Sequence, residues 1–192
     1  MGELSYFCQR ATIGINNLKM KKIALIYWPK KGNVEASAQK IYEQFDESII
    51  DIFTITSVDV EQLTQYGNII IGGSTTGADN WGDTHKSRWI EFFEKLEEVN
   101  ISGKKVAFFG LGDQVLYPDH FVDGMAHLKS EFVKFDVQFV GAWLTDGYEH
   151  TGSDSIEDGK FIGLALDEDQ QPELTEERIK TWTGQLKSEF GL

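Results

Sequence analysis

The stretch KIALIYWPKKGNVE, residues 22–35, decides the fold class. Its first seven residues form an almost continuous apolar run, which is typical of a strand buried on both faces of a parallel sheet. A short polar loop follows, and from Gly32 the apolar residues recur at spacings of three and four. This spacing predicts a helix that extends to Phe45. A strand, a loop and a helix in this order are the first unit of an α/β protein.

The same alternation continues along the rest of the chain. Further strands are predicted at residues 49–55, 68–73, 105–111 and 137–143, with a short sixth segment at 161–166. Further helices are predicted at residues 59–66, 86–96, 120–134 and 175–190, the last with Thr175 as its N-cap. Strands that alternate with helices predict a doubly wound parallel sheet with helices on both faces.

Composition and charge exclude several classes of protein. The 192 residues include 18 Lys and Arg against 31 Asp and Glu, a net charge of −13, which argues against a nucleic-acid partner. No apolar run approaches the ~20 residues that a membrane span requires. The lone Cys8 cannot form an internal disulfide, which suits a reducing compartment. We therefore expect a cytoplasmic monomer that binds neither nucleic acid nor membrane.

The charge is distributed unevenly. Residues 1–40 contain seven basic and two acidic residues, a net +5, whereas residues 145–178 contain eleven acidic and two basic residues, a net −9. Such asymmetry indicates either an interaction surface or a well-solvated acidic rim, and composition alone leaves both open. Residues 1–20 have no sustained apolar run and no cleavage site, so we expect an irregular leader ahead of the domain.

Three of the predicted strands end in loops with the composition of ligand sites. Ligands of doubly wound sheets bind at the carboxyl ends of the strands, so these loops belong to one pocket. In the first loop, Gly32 and Asn33 precede a helix whose amide groups and positive dipole suit a phosphate, and Lys30 and Lys31 add charge. In the second and third loops, Trp81 and Tyr117 are placed to sandwich a planar ring.

No hydrolytic or metal-binding motif accompanies these loops. The four histidines have no metal-ligand spacing, and no nucleophile motif is present, so we predict no metal site and no catalytic residue. A planar ligand with a phosphate and no acid–base machinery indicates a redox cofactor whose ring performs the chemistry.

Residues 21–192 resemble the long-chain flavodoxin family. The resemblance lies in four blocks: FFGLGDQVLYPDHF (108–121), VGAWLTDGYE (140–149), DGKFIGLALDEDQQPELTEERIKTW (158–182) and LKSEFGL (186–192). It implies an FMN cofactor at the carboxyl edge of a five-stranded sheet in the order 2-1-3-4-5. It also implies an insertion that splits the fifth strand, at about residues 144–159, within a single domain behind the leader.

The resemblance assigns roles to several residues. Tyr117 matches the tyrosine that stacks on the outer face of the flavin, and Gly112, Asp113 and Gln114 match the loop whose backbone groups meet the pyrimidine edge. Asp169 matches an acidic residue near the ribityl chain. The complete candidate set for the cofactor is Pro29, Lys30, Lys31, Gly32, Asn33, Val34, Ser74, Thr75, Thr76, Gly77, Trp81, Leu111, Gly112, Asp113, Tyr117, His120 and Asp169.

Two loops depart from the family pattern. The phosphate loop of flavodoxins has the form T-x-T-G-x-T, whereas residues 29–34 read PKKGNV and retain only the glycine. Lys30 and Lys31 are expected to replace part of the lost hydroxyl contacts by charge. In the second loop, Thr76 stands where many members have tryptophan, so Trp81 is expected to supply the inner stacking ring. A backbone carbonyl within residues 77–79 is expected to accept a hydrogen bond from the protonated flavin, because Gly77 lets the peptide reorient.

The resemblance implies a low-potential one-electron carrier without substrate turnover of its own. Its partners would be redox proteins, such as a flavodoxin reductase and downstream oxidoreductases. Two alternatives remain at this stage. The altered phosphate loop is compatible with a flavin-free binding module, and related folds also include NAD(P)H-dependent FMN or quinone reductases.

Overall fold

The structure, a computed structural model, describes residues 22–74 and 88–192. The helices within these ranges are α1 (Asn33–Tyr42), α2 (Arg88–Leu96), α3 (Gly124–Phe132) and α4 (Thr175–Phe190). The strands are β1 (Ile23–Tyr27), β2 (Ile50–Thr54), β3 (Asn68–Ser74), β4 (Lys105–Leu111), β5 (Gln138–Val140), β6 (Trp143–Leu144), β7 (Ile156–Glu157), β8 (Lys160–Phe161) and β9 (Gly163–Leu166). Short 3-10 helices lie at Val60–Gln65, Pro118–His120 and Pro172–Leu174.

The main sheet is parallel and has the order β2-β1-β3-β4-β5, which confirms the predicted fold class. β2 pairs with β1 and β3 pairs with β4 along their whole lengths, and β1 pairs with Asn68–Gly72 of β3, so that Ile23 lies opposite both Ile50 and Asn68. Because all of these strands run in one direction, their carboxyl ends meet at a single edge of the sheet.

The fifth position of the sheet is occupied by two separate strands. The first three residues of β4 pair with β5, and its residues Phe108–Leu111 pair with β9 in the same parallel sense. The chain leaves the sheet between the two strands, at residues 141–162, and there β6, β8 and β7 form a small antiparallel sheet. The insertion predicted at 144–159 lies within this excursion.

Alternate residues of the strands pack into two separate apolar clusters. On one face, Ala24 and Ile26 of β1 belong to a cluster that includes the aromatic residues Trp89 and Phe93 of α2. On the other face, Ile23 and Leu25 belong to a cluster with α1 and α4, which includes the fully buried Trp182. Helices therefore cover both faces of the sheet, as predicted.

Several predicted boundaries are wrong, and each has a local cause. α1 ends at Tyr42 rather than Phe45, because Glu43–Phe45 continue as turns. The predicted helix at 59–66 is a 3-10 helix, which the side chain of Asp59 caps by accepting from the Glu61 amide at 3.2 Å. α3 begins at Gly124, because residues 118–120 form a separate 3-10 turn and Val122 has a φ of 54°.

The predicted fifth strand at 137–143 is also shorter than expected. β5 ends at Val140 because Gly141 has a φ of 82°, which turns the chain out of the sheet. Thr175 is not an N-cap: it is the first residue of α4, and its hydroxyl donates to Glu168. Of the predicted helix at 86–96, residues 86 and 87 lie outside the described residues, and the rest coincides with α2.

Within the residues that the structure describes, no helix combines the length and the apolar character needed to cross a bilayer.

Candidate functional site

A cleft of about 380 Å³ opens at the carboxyl edge of the main sheet. This volume lies within the range of small-molecule and cofactor sites. The loops that follow β1, β4 and β9, together with the end of β3, form its walls. The lining residues are Pro29, Lys31, Asn33, Val34, Ser74, Leu111, Gly112, Asp113, Leu116, Tyr117, Glu168 and Asp169.

One end of the cleft is the N-terminus of α1. The N-cap residue is Gly32, with a φ of 76°, and no side chain caps the first turn. The amide groups of that turn are therefore available to an anion, and the helix dipole adds partial positive charge. Lys31, which immediately precedes Gly32, also lines the cleft. This end has the chemistry of a phosphate site.

Glu35, in the first turn of α1, stabilises the loop that carries Lys31. Its carboxylate accepts a hydrogen bond from the Lys31 backbone amide at 2.8 Å and another from the hydroxyl of Tyr27. The Tyr27 hydroxyl, more than any other group, lowers the pKa of the Glu35 carboxyl. Burial of Tyr27, together with this carboxylate, raises the pKa of its phenol to about 12. Glu35 therefore remains an ionised acceptor and fixes the turn before α1.

The opposite wall is the loop 112–117. The Asp113 carboxylate accepts hydrogen bonds from the amides of Val115 and Leu116 at 2.9 and 2.8 Å, and these bonds lower its pKa, with the Leu116 amide as the largest cause. The Tyr117 amide donates to the Asp113 carbonyl at 3.0 Å, so the loop is a closed turn. Tyr117 is 44% exposed, and its aromatic face is therefore accessible to a planar ligand.

Gly112, at the base of this wall, has no room for a side chain. A Cβ there would lie 2.9 Å from the Val122 amide nitrogen and 3.0 Å from the Phe121 ring. The backbone of the loop 112–117 is therefore packed directly against the segment that precedes α3, and this close contact fixes the floor of the cleft.

A fourth segment, the loop 167–171 after β9, completes the cleft. Glu168 and Asp169 line the cavity, and the Asp167 carboxylate accepts from the Asp169 and Gln170 amides at 3.1 and 2.9 Å. Asp113, Glu168 and Asp169 place three carboxylates on the cleft wall, so this end of the site carries negative charge.

The structure brings most of the predicted site residues together. Ten of them line the cleft: Pro29, Lys31, Asn33, Val34, Ser74, Leu111, Gly112, Asp113, Tyr117 and Asp169. Gly32 caps α1 next to two lining residues without lining the cleft itself, and Lys30 is likewise not a lining residue. The side chain of His120 is 72% exposed and lies 3.0 Å from the Asp123 carboxylate. Thr75, Thr76, Gly77 and Trp81 lie outside the described residues, so their predicted roles stay predictions.

Two lining residues, Leu116 and Glu168, are missing from the predicted set. Leu116 directly precedes the predicted residue Tyr117, and Glu168 directly precedes Asp169. This adjacency is the sequence signal that could have identified both lining residues. Among the residues with described positions, no group of three or more His, Cys, Asp or Glu side chains is arranged to hold a metal ion.

The fold and the cleft define a class: a doubly wound α/β protein whose ligand site joins a helix N-terminus to an aromatic loop at the carboxyl edge of the sheet. The comparison with protein families identifies the member of that class. The flavodoxin family model matches residues 25–182, and the chain belongs to the flavodoxin family.

Individual relatives agree with this assignment. The chain is 44% identical to a flavodoxin of Picosynechococcus sp., over 90% of this chain and 100% of that protein. It is 36% identical to a flavodoxin of Haemophilus influenzae, over 90% of this chain and 98% of that protein. Among solved structures, it is similar to Fusobacterium nucleatum flavodoxin bound to flavin mononucleotide, with a TM-score of 0.76 and 32% identity. That match covers 89% of this chain and 99% of the other. These relatives favour neither the flavin-free module nor the reductase.

Proposed function

We infer that this chain is a flavodoxin that binds FMN non-covalently and carries electrons one at a time between redox proteins, without turning over a substrate of its own. The observation that carries this inference is the cleft itself. One of its ends has the chemistry of a phosphate site, and its opposite wall presents the aromatic face of Tyr117. FMN, when bound, supplies the ring that accepts and releases electrons.

The residues of the phosphate end fit a charged group. The first-turn amides of α1 donate hydrogen bonds, and Lys31 contributes a charge in place of the hydroxyl groups that the family pattern has. Asn33 and Val34 supply backbone amides, whereas Pro29 supplies none. We propose that this set of donors binds the FMN phosphate.

The residues of the ring end fit a planar, uncharged ring. Tyr117 supplies a stacking face, and the closely packed backbone at Gly112 gives access to the polar edge of a ring without an intervening side chain. The carboxylates of Asp113, Glu168 and Asp169 disfavour additional negative charge nearby. They therefore favour a low reduction potential for the second electron.

We further propose how the carrier meets its partners. Val115 and Leu116, which are 59% and 65% exposed, belong to the loop 112–117 that forms one wall of the cleft, and the acidic residues Asp113, Glu168 and Asp169 line the same cleft. An apolar ridge with an acidic rim suits transient complexes with basic proteins, such as a flavodoxin reductase and downstream oxidoreductases. The net charge of −13 opposes self-association and supports a monomer. The cytoplasmic location stays a prediction.

Reductive titration of the FMN-loaded protein tests the carrier function. We expect two separated one-electron steps, resolved by visible spectra recorded at controlled potentials. The reduction potential of the second step should lie well below the corresponding potential of free FMN. Free FMN under the same conditions is the control. A single two-electron step would contradict the carrier, and a protein that takes up no FMN would contradict the cofactor assignment.

A further inference from the structure

Asp167 is a fully buried carboxylate at the end of β9, and it has an unusual set of partners. Within the described residues, all four hydrogen bonds that its side chain accepts come from amide groups. Its Oδ1 accepts from the Asp169 and Gln170 backbone amides, and its Oδ2 accepts from the backbone amide and the side-chain Nε2 of Gln114, at 3.0 and 2.8 Å. Four donors compensate for the cost of burying the charge.

These donors belong to two different walls of the cleft. Gln114 is part of the loop 112–117, which carries Tyr117, whereas Asp169 and Gln170 are part of the loop 167–171. A further bond joins the same loops directly, from Gln170 Nε2 to Asp113 Oδ1 at 3.1 Å. The Asp167 carboxylate thus links the two walls of the cleft through hydrogen bonds and fixes one relative to the other.

Gln114 extends this connection to the excursion at residues 141–162. Its side chain is buried, and both ends of its amide group are used: Nε2 donates to Asp167, and Oε1 accepts from the backbone amide of Glu149. The orientation of the Gln114 amide is therefore determined by its two partners. A carboxylate at position 167 requires the donor end, and a backbone N–H at position 149 requires the acceptor end.

The aromatic ring of Tyr117 depends on this arrangement. Because Tyr117 is 44% exposed, packing restrains its side chain only in part, and the backbone of its loop contributes to its position. That backbone is closed on itself by Asp113, and Gln114 attaches it to Asp167.

We propose that Asp167 is a positioning residue, which acts through Gln114 to set the place of Tyr117 over the cofactor. The proposal rests on the proposed function, because it concerns the FMN that the cleft is inferred to bind. The orientation required of Gln114 further implies that the Glu149 backbone, in the excursion, supports the cofactor loop.

The test is the conservative variant Asp167→Asn. The amide group that it introduces turns a donor toward one pair of the present donors, so residue 167 can no longer accept from both walls at once while its shape remains. We expect the FMN dissociation constant, measured by quenching of flavin fluorescence, to rise by roughly tenfold or more. We also expect the visible circular dichroism of bound FMN to change, because this signal reports the aromatic surroundings of the ring.

A double variant separates positioning from general loss of stability. In Asp167→Asn with Gln114→Glu, the carboxylate and the amide exchange places. The new carboxylate then accepts both from the side-chain amide introduced at position 167 and from the Glu149 backbone amide. The backbone amide of residue 114 still faces the introduced side-chain amide, so we expect this variant to recover part of the FMN affinity and of the dichroism. Gln114→Met, which keeps the Gln114 backbone bond, should give a weaker loss in the same direction and serves if Asp167→Asn does not fold.

Asn68→Ala is the control. Asn68 is 6% exposed and its side chain donates to the Lys22 carbonyl at 3.0 Å, and it lies at the start of β3, the end of that strand opposite the cleft. We expect its substitution to lower thermal stability and to leave FMN affinity and dichroism unchanged. Normal FMN binding and dichroism in Asp167→Asn, or no recovery in the double variant, would overturn the positioning role alone. Failure of the wild-type protein to bind FMN would overturn the proposed function together with it.

Discussion

At the phosphate end of the cleft, two neighbouring lysines have different positions. Lys31 lines the cleft, with a φ of 71°, whereas Lys30 does not line it. A charge on an exposed side chain contributes about 0.5–1 kcal/mol to an ionic contact. Of the two lysines, we therefore expect Lys31 to contribute more to binding of the FMN phosphate.

We predict that Lys31→Ala weakens FMN binding by about two- to fivefold, the equivalent of that energy. Lys30→Ala removes the same charge from the neighbouring position, and we expect a smaller effect from it. Fluorescence titration with FMN and with riboflavin, which has no phosphate, makes the measurement specific. An equal loss of affinity for both flavins would contradict a role in phosphate binding.

At this scale, the sequence predicts residue types better than it predicts side-chain directions. Tyr117, Asp113 and Gly112 were predictable because they follow a buried strand at the edge where ligands bind. The difference between Lys30 and Lys31 was not predictable, because it depends on two consecutive residues with positive φ before α1. The role of Asp167 was not predictable either, since its four donors come from two loops that are far apart in sequence.

At the scale of the elements, β9 packs so closely against β4 that Gly163 has no space for a side chain. A Cβ at Gly163 would lie 2.2 Å from the carbonyl oxygen of Phe108, a backbone atom on the neighbouring strand. The side chain cannot move away from this contact, so the two strands would have to separate. This strand leads directly to Asp167 and the loop 167–171, and its displacement would affect the cleft as well.

We predict that Gly163→Ala lowers the free energy of unfolding by about 3 kcal/mol, the upper end of the range for overpacked sites. Gly184→Ala is the matched control: apart from the neighbouring backbone of α4 itself, no described atom lies within 4 Å of its Cβ position, and alanine favours a helix by up to about 1 kcal/mol. Urea unfolding followed by circular dichroism measures both variants. Equal stability of Gly163→Ala and the wild type would mean that β9 can shift without cost.

The order and type of the elements were predictable, whereas several of their ends were not. Continuous apolar runs identified the strands of the main sheet, because burial on both faces leaves little choice of residue. The predicted strand at 137–143 ended early at Gly141, and the predicted helix at 120–134 began late, after Val122. Val122 is fully buried with a φ of 54°, and a β-branched residue gives no local signal for that conformation.

For the molecule as a whole, the dominant property is its negative charge. The net charge is −13, and residues 145–178 contribute −9 of it, including the two carboxylates of the loop 167–171 that line the cleft. Charge concentrated near the electron-transfer site accelerates encounters with basic partners over distances of about one Debye length.

We predict that electron transfer from the reduced protein to a basic haem protein slows by roughly tenfold when ionic strength rises from about 0.02 to 0.2 M. Stopped-flow measurement of the second-order rate tests this. Ferricyanide, a small anionic acceptor, is the control, and its rate should instead rise with ionic strength. A rate to the basic acceptor that does not change with salt would show that the acidic surface does not direct the encounter.

The shared fifth position of the sheet also determines when the cofactor site is assembled during synthesis. β5 leaves the ribosome well before β9, since residues 141–162 separate them. Until β9 emerges, the Phe108–Leu111 half of β4, which leads into the loop of Tyr117, has no neighbour on that side. The nascent chain can therefore complete most of its sheet, but the cleft acquires its last wall only after β9 and the loop 167–171 have been translated.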